Sequence, residues 1–422
     1  MLSWSALQIG RRGIGLVIAL VLFALVASQI PLRDTDVAVY AKAADRVVLD
    51  SQDPYPRQPG DVLPFTYPPT ALPLLYLIAR LSTAQLADVM FAVNIMLTVV
   101  LMLLLVGDLA RDDPSGRLRI WGPIYIACFG GLSLTLQFGQ INLLLLLLLW
   151  GYWRELRRGH QRARAGALLA LGCLAKPHYA LLALGAGPRP SWRLIAGTGG
   201  AAALLVVLSL WVAPVGSWTS WWSEIVATTS VTGLPPGHSS IAAPWNRSLV
   251  GAIARFLIPN KFSGVVCEDA ELAAQLSTLA ISLVLAVTGM VLWRSMRREL
   301  TPFSAGAYGA RDSLDHDLEL SLISLAVFLI APASWTHHLV MLLPATLILL
   351  RDRVLCAGVA LGSRVTAGLV LAVIALTLDD LIPLELRVSS LPLMTLMTVA
   401  VVALWLLLAE QLWRRSATLA RL

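Results

Sequence analysis

This 422-residue chain is short of charge and has no clustered cysteine. Asp, Glu, Lys and Arg make up only 14% of it, against about 25% in an ordinary soluble protein. A soluble globule needs more charge to cover its surface, so the composition excludes a cytosolic enzyme and a disordered chain. The four cysteines are widely separated, with no CxxC or Cys/His cluster. A secreted disulfide scaffold and a metal knuckle are therefore not expected.

Lysine is also scarce: the chain contains only Lys42, Lys176 and Lys261. Its net charge of +7 comes almost entirely from arginine. The arginines lie in short loops between apolar runs, which is the pattern of the positive-inside rule. A nucleic-acid-binding protein would instead show a continuous basic face, so we expect no nucleic-acid partner.

Apolar residues are what the chain has in excess, at 57% of the sequence with a mean hydropathy of +0.75. Repeated apolar runs of bilayer length predict an all-α polytopic membrane protein, with residues 1–422 as a single integral membrane domain. The run lengths predict about 11 to 13 membrane helices. The short run at 68–80, which starts with proline, is either a crossing or a re-entrant segment. No internal repeat is visible, which disfavours a repeat-built transporter.

The positions of the arginines predict the topology. Arg11 and Arg12 precede the first apolar run, as in a retained signal anchor with a cytoplasmic N-terminus. The basic loops 154–164 and 294–298 should also be cytoplasmic. We therefore expect a multi-pass protein of the plasma membrane whose extracytoplasmic side carries four segments: 33–67, 215–247, 334–338 and 379–387.

Ionisable residues beside apolar runs are costly in a bilayer and mark candidate functional sites. In the first outer loop, Asp34 and Asp36 follow the first apolar run. Either aspartate could act as a general base near the interface, where a lipid-borne substrate presents its head group. The alternative is a solvated N-cap for a helix over about 37–49.

Three polar or aromatic positions come next along the chain. Tyr67 lies in the stretch FTYPP and fits either a site at head-group depth or an aromatic belt. Gln140 and Asn142 lie in FGQIN, at the outer end of a leucine-rich run. They either line a polar cavity or join helices by hydrogen bonds.

Lys176 is flanked by apolar sequence on both sides and is followed by Pro177, which breaks the helix. A lysine in this position needs an anion or a water-filled cavity. A phosphate is one suitable partner. Snorkelling of the side chain to the interface is the alternative.

Two later stretches, PWNRS and SWTHH, fall on the same predicted outer side. Arg247 in the first stretch departs from the charge bias of outer loops. His337 and His338 in the second point about 100° apart on a helix, which does not suit chelation. We therefore expect no metal at this pair and a donor or acid–base role for one of the two histidines.

Taken in order, these motifs resemble glycosyltransferase family 87. They read D-x-x-x-Y, aromatic-x-Y-P-P, G-Q-x-N, K-P, N-x-S-L and S-W-x-H-H, from about Asp36 to His338. The family is of the GT-C type, with polyprenyl-phosphate-mannose-dependent mannosyltransferases among its members. The resemblance implies a GT-C-type helical fold whose active site is carried by extracytoplasmic loops.

The resemblance also implies roles for individual residues. The D-x-x-x-Y spacing selects Asp36 as the base, and the late-loop histidine is His337 or His338. Lys176, Asn246 and Arg247 correspond to positions near the donor phosphate. The full set of implied substrate-binding residues is Tyr40, Tyr67, Gln140, Asn142, Lys176, Asn246, Arg247 and Trp335.

The implied chemistry is an inverting transfer of mannose from a polyprenyl-phosphate donor to a lipid or glycolipid acceptor, giving an α-linkage. No nicotinamide, flavin or haem is implied, and the sequence demands no metal, although some related folds use one. Arabinose, glucose or galactose on the same fold is the alternative within enzymes. A transporter or flippase is the non-enzymatic alternative, although its charges should lie at the bilayer midplane.

Overall fold

The computed structural model describes residues 4–58, 60–61, 63–228, 238–297 and 313–419. Within these ranges the chain is helical and has no β-strand, which confirms the predicted all-α class. Residues 229–237 of the predicted second outer loop lie outside the described part.

The described ranges contain sixteen α-helices. In chain order they are α1 Trp4–Ser28, α2 Thr35–Ala44, α3 Thr83–Leu109, α4 Leu118–Ala127, α5 Gly130–Gln137, α6 Asn142–Arg157, α7 Ala163–Gly172, α8 Trp192–Val212, α9 Gly216–Thr228, α10 Leu249–Leu257, α11 Ala270–Met296, α12 Ser313–Ile330, α13 Leu343–Leu349, α14 Leu361–Leu376, α15 Leu384–Val388 and α16 Leu391–Leu419. Three 3₁₀ helices (Pro69–Leu77, Pro177–Ala186 and Thr336–Leu342) and two π-helices (Asp45–Leu49 and Leu350–Leu355) connect them.

By length and apolar composition, four described helices can cross a membrane: α3, α8, α11 and α16. The pair α4 and α5, bent by 43° at its break, forms a broken span or a re-entrant loop. The chain is therefore a multi-pass membrane protein, and the larger count of about 11 to 13 helices stays a prediction. The 3₁₀ helix Pro69–Leu77 is about 18 Å long, too short for a bilayer core of about 30 Å. Its length favours the re-entrant interpretation of the run at 68–80.

Helix α12 forms the centre of the bundle, since all of its residues from Asp315 to Leu329 are buried. A helix that is buried around its whole circumference occupies a core position. The 3₁₀ helix Thr336–Leu342 and α13 follow directly and are buried as well. The histidine pair is therefore attached to a buried part of the fold.

A single glycine allows the α5–α6 turn to approach α2. Gly139 has φ +59, a conformation that residues with a side chain adopt only at a cost. A Cβ atom there would lie 2.6 Å from Cγ2 of Val37. The turn therefore brings Gln140, the next residue, against the first turn of α2.

The predicted cytoplasmic loop 154–164 begins in the last turn of α6, at the opposite end from Gln140. The length of α6 separates Asn142 from Arg157 by about 22 Å. There Arg157 and Arg351 flank the fully buried Asp317, with N–O distances of 3.0 and 3.2 Å. The fold thus has a compact ionic cluster at one end and the candidate site at the other.

Candidate active site

Asp36 and Gln140 form the central contact of the site. Gln140 Nε2 donates a hydrogen bond to Oδ2 of Asp36, which lies half-buried in the first turn of α2. Asp34 is exposed at the N-cap position and makes no side-chain capping bond. The geometry therefore separates the two aspartates that the sequence left open, since it is Asp36 that faces the polar cluster.

Gln140 is held in one orientation. Its Oε1 accepts a hydrogen bond from Oη of Tyr67 at 3.2 Å, which leaves Nε2 directed at Asp36. Oη of Tyr40 lies 3.0 Å from Oη of Tyr67, and the two rings stack. Nδ2 of the buried Asn94 on α3 donates to the Gln140 carbonyl at 3.0 Å. Because Gln140 bonds to Oδ2 of Asp36, the other carboxylate oxygen, Oδ1, can bond to a different partner.

Burial raises the pKa of the Asp36 carboxyl above its ordinary value. The hydrogen bond from Gln140 and the positive charge of Lys176 each lower the pKa and offset part of this effect. A carboxylate with a raised pKa is a stronger base than a solvated aspartate, which suits proton abstraction.

Lys176 lies where α7 has ended and the 3₁₀ helix Pro177–Ala186 begins, the broken-helix junction that Pro177 predicts. Oγ1 of Thr70 donates to the carbonyl of Leu174 at 2.6 Å and fixes this junction. Lys176 is only 5% exposed, and within the described residues its Nζ has no hydrogen-bond partner. A buried ammonium without a partner is costly, so the position is suited to binding an anion.

The two adjacent histidines interact with the same lysine. The rings of His337 and His338 lie 4.5 Å apart and nearly perpendicular, and both interact electrostatically with Lys176. The His337 carbonyl accepts hydrogen bonds from Oγ1 of Thr135 at 3.0 Å and from Nδ2 of Asn142 at 3.3 Å. Asn142 therefore holds the histidine segment by an interhelical bond.

His178 belongs to this cluster, although sequence reasoning did not select it. It is exposed at the start of the 3₁₀ helix Pro177–Ala186 and interacts electrostatically with Lys176 and His338. The sequence places it two residues after Lys176, which was the one feature that could have identified it as a site residue. A lone histidine next to a helix break is weak evidence for a functional role.

Asn246, Arg247 and Trp335 lie where the two late stretches meet. Asn246 and Trp335 form an antiparallel bridge, and Oδ1 of Asn246 accepts the Ser334 amide at 3.0 Å. Arg247 is fully buried and pairs with Asp379.

The structure thus gathers one set of candidates around Asp36 and uses another to hold the surrounding backbone. The first set is Asp36, Tyr40, Tyr67, Gln140, Lys176, His337 and His338; the second is Asn142, Asn246, Arg247 and Trp335.

No group of three or more His, Cys, Asp or Glu side chains in the described ranges is placed to hold a metal ion. Among the described residues, the Asp36 carboxyl group interacts electrostatically with the Lys176 amine, and this amine interacts in the same way with His178, His337 and His338. This arrangement offers one base and one cationic surface.

These features place a polar cluster with a carboxyl group and a buried amine in an all-helical membrane protein. The chain belongs to glycosyltransferase family 87, whose family model matches residues 65–310, more than half of the sequence. Tyr67, Gln140, Asn142, Lys176, Asn246 and Arg247 lie inside the matched range. Asp36, Tyr40, Trp335, His337 and His338 lie outside it.

One characterised relative was found in Mycobacterium tuberculosis. The chain is 27% identical over 308 residues to its polyprenol-phosphate-mannose-dependent alpha-(1-2)-phosphatidylinositol mannoside mannosyltransferase. The match covers 68% of this chain and 62%, less than two thirds, of that protein. No solved structure matches the chain.

Proposed function

We propose that this protein transfers mannose from a polyprenyl-phosphate donor to a lipid or glycolipid acceptor on the extracytoplasmic side of the plasma membrane. The transfer inverts the anomeric centre and gives an α-linkage. The observation that carries the proposal is the buried Nζ of Lys176, which has no hydrogen-bond partner in the described part of the chain and interacts electrostatically with Asp36. The name of the mycobacterial relative supports mannose as the sugar.

Lys176 binds the phosphate of the donor in this mechanism. The bond between the sugar C1 and the phosphate oxygen breaks, and the polyprenyl phosphate leaves with one more negative charge than it had in the donor. A phosphate leaving group is weakly basic and needs a cation more than it needs a proton. The Lys176 ammonium and the adjacent His337 and His338 provide donors in a site with little water, where such interactions are strong.

Asp36 acts on the acceptor. Its carboxylate takes the proton of the attacking hydroxyl while the acceptor oxygen bonds to C1 from the face opposite the phosphate. Gln140 donates a hydrogen bond to Oδ2 of Asp36, so the other carboxylate oxygen accepts the proton of the acceptor hydroxyl. At the end of the step Asp36 carries the proton, and the sugar has moved to the acceptor with inverted configuration.

The direct test uses membranes that contain the protein, radiolabelled polyprenyl-phosphate mannose and a lipid extract as acceptor source. We expect label to move into a glycolipid only when the donor is lipid-linked. Transfer from lipid-linked arabinose, glucose or galactose instead would keep the mechanism and change the sugar. Movement of the donor across the membrane without transfer would indicate a transporter.

We expect Gln140→Met to move the acidic limb of the rate–pH profile to higher pH. The hydrogen bond from Gln140 lowers the pKa of Asp36, so its loss raises that pKa further. The base is then protonated at a pH where the wild-type base is still ionised. Initial rates across a pH series measure the shift. An unchanged limb, or a shift to lower pH, would show that Asp36 is not the titrating base.

Topology can be tested with single cysteines in a background that lacks Cys128, Cys173, Cys267 and Cys356. Gln58 and Arg158 are both exposed, the first in the loop after α2 and the second just after α6. We expect a membrane-impermeant thiol reagent on intact cells to label cysteine at 58 and to spare cysteine at 158, because short basic loops resist translocation. Permeabilised cells supply the control, in which both positions react. The reverse labelling pattern would place Asp36 in the cytoplasm and exclude a donor presented on the outer leaflet.

A further inference from the structure

We infer that an ion cluster of Arg247, Asp379, Asp380 and Arg387, buried except for the exposed Asp380, positions the His337–His338 segment for sugar transfer. The inference rests on the proposed function, because it concerns the same site. It assigns Arg247 a positioning role, whereas the family resemblance implies a contact with the donor phosphate.

Each nitrogen of the Arg247 guanidinium contacts a protein group. Its Nε donates to Oγ1 of Thr336 at 2.9 Å, Nη2 donates to Oδ1 of Asp380 at 2.8 Å, and Nη1 contacts Oδ2 of Asp379. Arg247 and Asp379 are both 0% exposed. Nζ of Lys176, by contrast, has no hydrogen-bond partner among the residues that the structure describes.

The same residue is tied to the histidine segment through its backbone. The Arg247 amide donates to the Ser334 carbonyl at 2.7 Å, and the Thr336 amide donates to the Trp245 carbonyl at 3.0 Å. These bonds flank the antiparallel bridge that joins the two stretches. Any displacement of Arg247 is thus transmitted to Thr336, the residue directly before His337.

The far side of the cluster comes from the segment before α16. Nη1 of Arg387 donates to the Asp379 carbonyl at 3.1 Å and also contacts Asp380. Both aspartates are therefore shared between two arginines. The cluster fixes the segment 379–387 against the histidine segment, although 40 residues lie between them.

Arginine suits this position better than lysine because its planar fork can bond three separate acceptors at once. An ammonium could pair with one aspartate but could not also reach Thr336 in the same geometry. Buried ion pairs are poor sources of net stability, and a role in fixing a single geometry is the better explanation for one next to a site.

The test measures kcat and donor KM for purified Arg247→Lys, Asp379→Asn and Thr336→Val, each normalised to folded protein by size-exclusion chromatography. We expect kcat to fall by about 10²-fold in the first two variants, because small misplacements of reacting groups have effects of this size. Donor KM should stay near the wild-type value. Thr336→Val, which removes one acceptor without changing charge, should show a smaller loss of the same kind and remains informative if the charge variants fold poorly.

Asp317→Asn is the matched control, since Asp317 is also 0% exposed and lies between two arginines at the opposite end of the bundle. We expect its kcat per folded molecule to match the wild type. Equal losses in Asp317→Asn and Asp379→Asn would attribute the effect to general destabilisation and overturn the inference. A raised donor KM with unchanged kcat in Arg247→Lys would overturn it too, because Arg247 would then contact the donor. An inactive wild type would contradict the proposed function instead, so the two failures are distinguishable.

Discussion

Asp36→Asn is expected to reduce transfer by about 10²–10⁴-fold, the usual effect of removing a positioned general base. Asparagine is nearly isosteric and can still accept the hydrogen bond from Gln140, so the fold of the site should persist. It cannot take a proton from the acceptor hydroxyl. Initial rates of radiolabel transfer with purified protein measure the loss, and binding of the lipid-linked donor should be retained.

Asp34→Asn is the control for this result. Asp34 is exposed at the start of α2, two residues from Asp36. We expect wild-type turnover from it, because exposed substitutions away from a site have small effects. An inactive Asp34→Asn together with an active Asp36→Asn would assign the base to the other aspartate.

Lys176→Met should raise the KM for the lipid-linked donor by about 10- to 10²-fold, the range expected when a hydrogen bond to a charged group is lost. Methionine keeps much of the apolar stem and removes the ammonium. The acceptor KM should change little. The loss of the Lys176 charge also raises the pKa of Asp36, and burial lowers the pKa of Lys176 itself to about 7, so rates should be compared above the acidic limb of both proteins and below the pKa of Lys176.

Lys42→Met separates this effect from a general loss of positive charge. Lys42 lies on α2 and pairs with Asp61 at 3.7 Å, outside the site. We expect it to leave donor KM unchanged. An unchanged donor KM in Lys176→Met would mean that the buried ammonium does not meet the phosphate, and the phosphate site would then have to lie elsewhere.

Only those features of the candidate site that depend on residues adjacent in the sequence could be predicted from the sequence. The break at Lys176 follows from Pro177, and the helix start near Pro68 follows from the fixed φ of proline. Both features appear in the structure. These are local effects of backbone chemistry, so they do not depend on the rest of the chain.

Contacts between distant segments could not be predicted in this way. Gln140 fitted a cavity lining or an interhelical bond, and only the packing of the α5–α6 turn on α2 shows that it meets Asp36. Arg247 was conspicuous as an outer arginine, but its partners Asp379 and Asp380 come from more than 130 residues further along the chain. Nothing in local spacing identifies such a pair.

The sequence by itself determined the class of this protein. A composition so rich in apolar residues leaves helices as the stable way to satisfy the backbone in a bilayer, and the arginine-rich loops follow the charge bias of membrane insertion. Tertiary structure alone decided which polar residues lie together at the site and which ones hold the backbone around it. The physical reason is that the cost of a buried charge depends on its partners, and those partners are set by packing. Within the described ranges Lys176 Nζ has no hydrogen-bond partner, whereas each nitrogen of the Arg247 guanidinium has one.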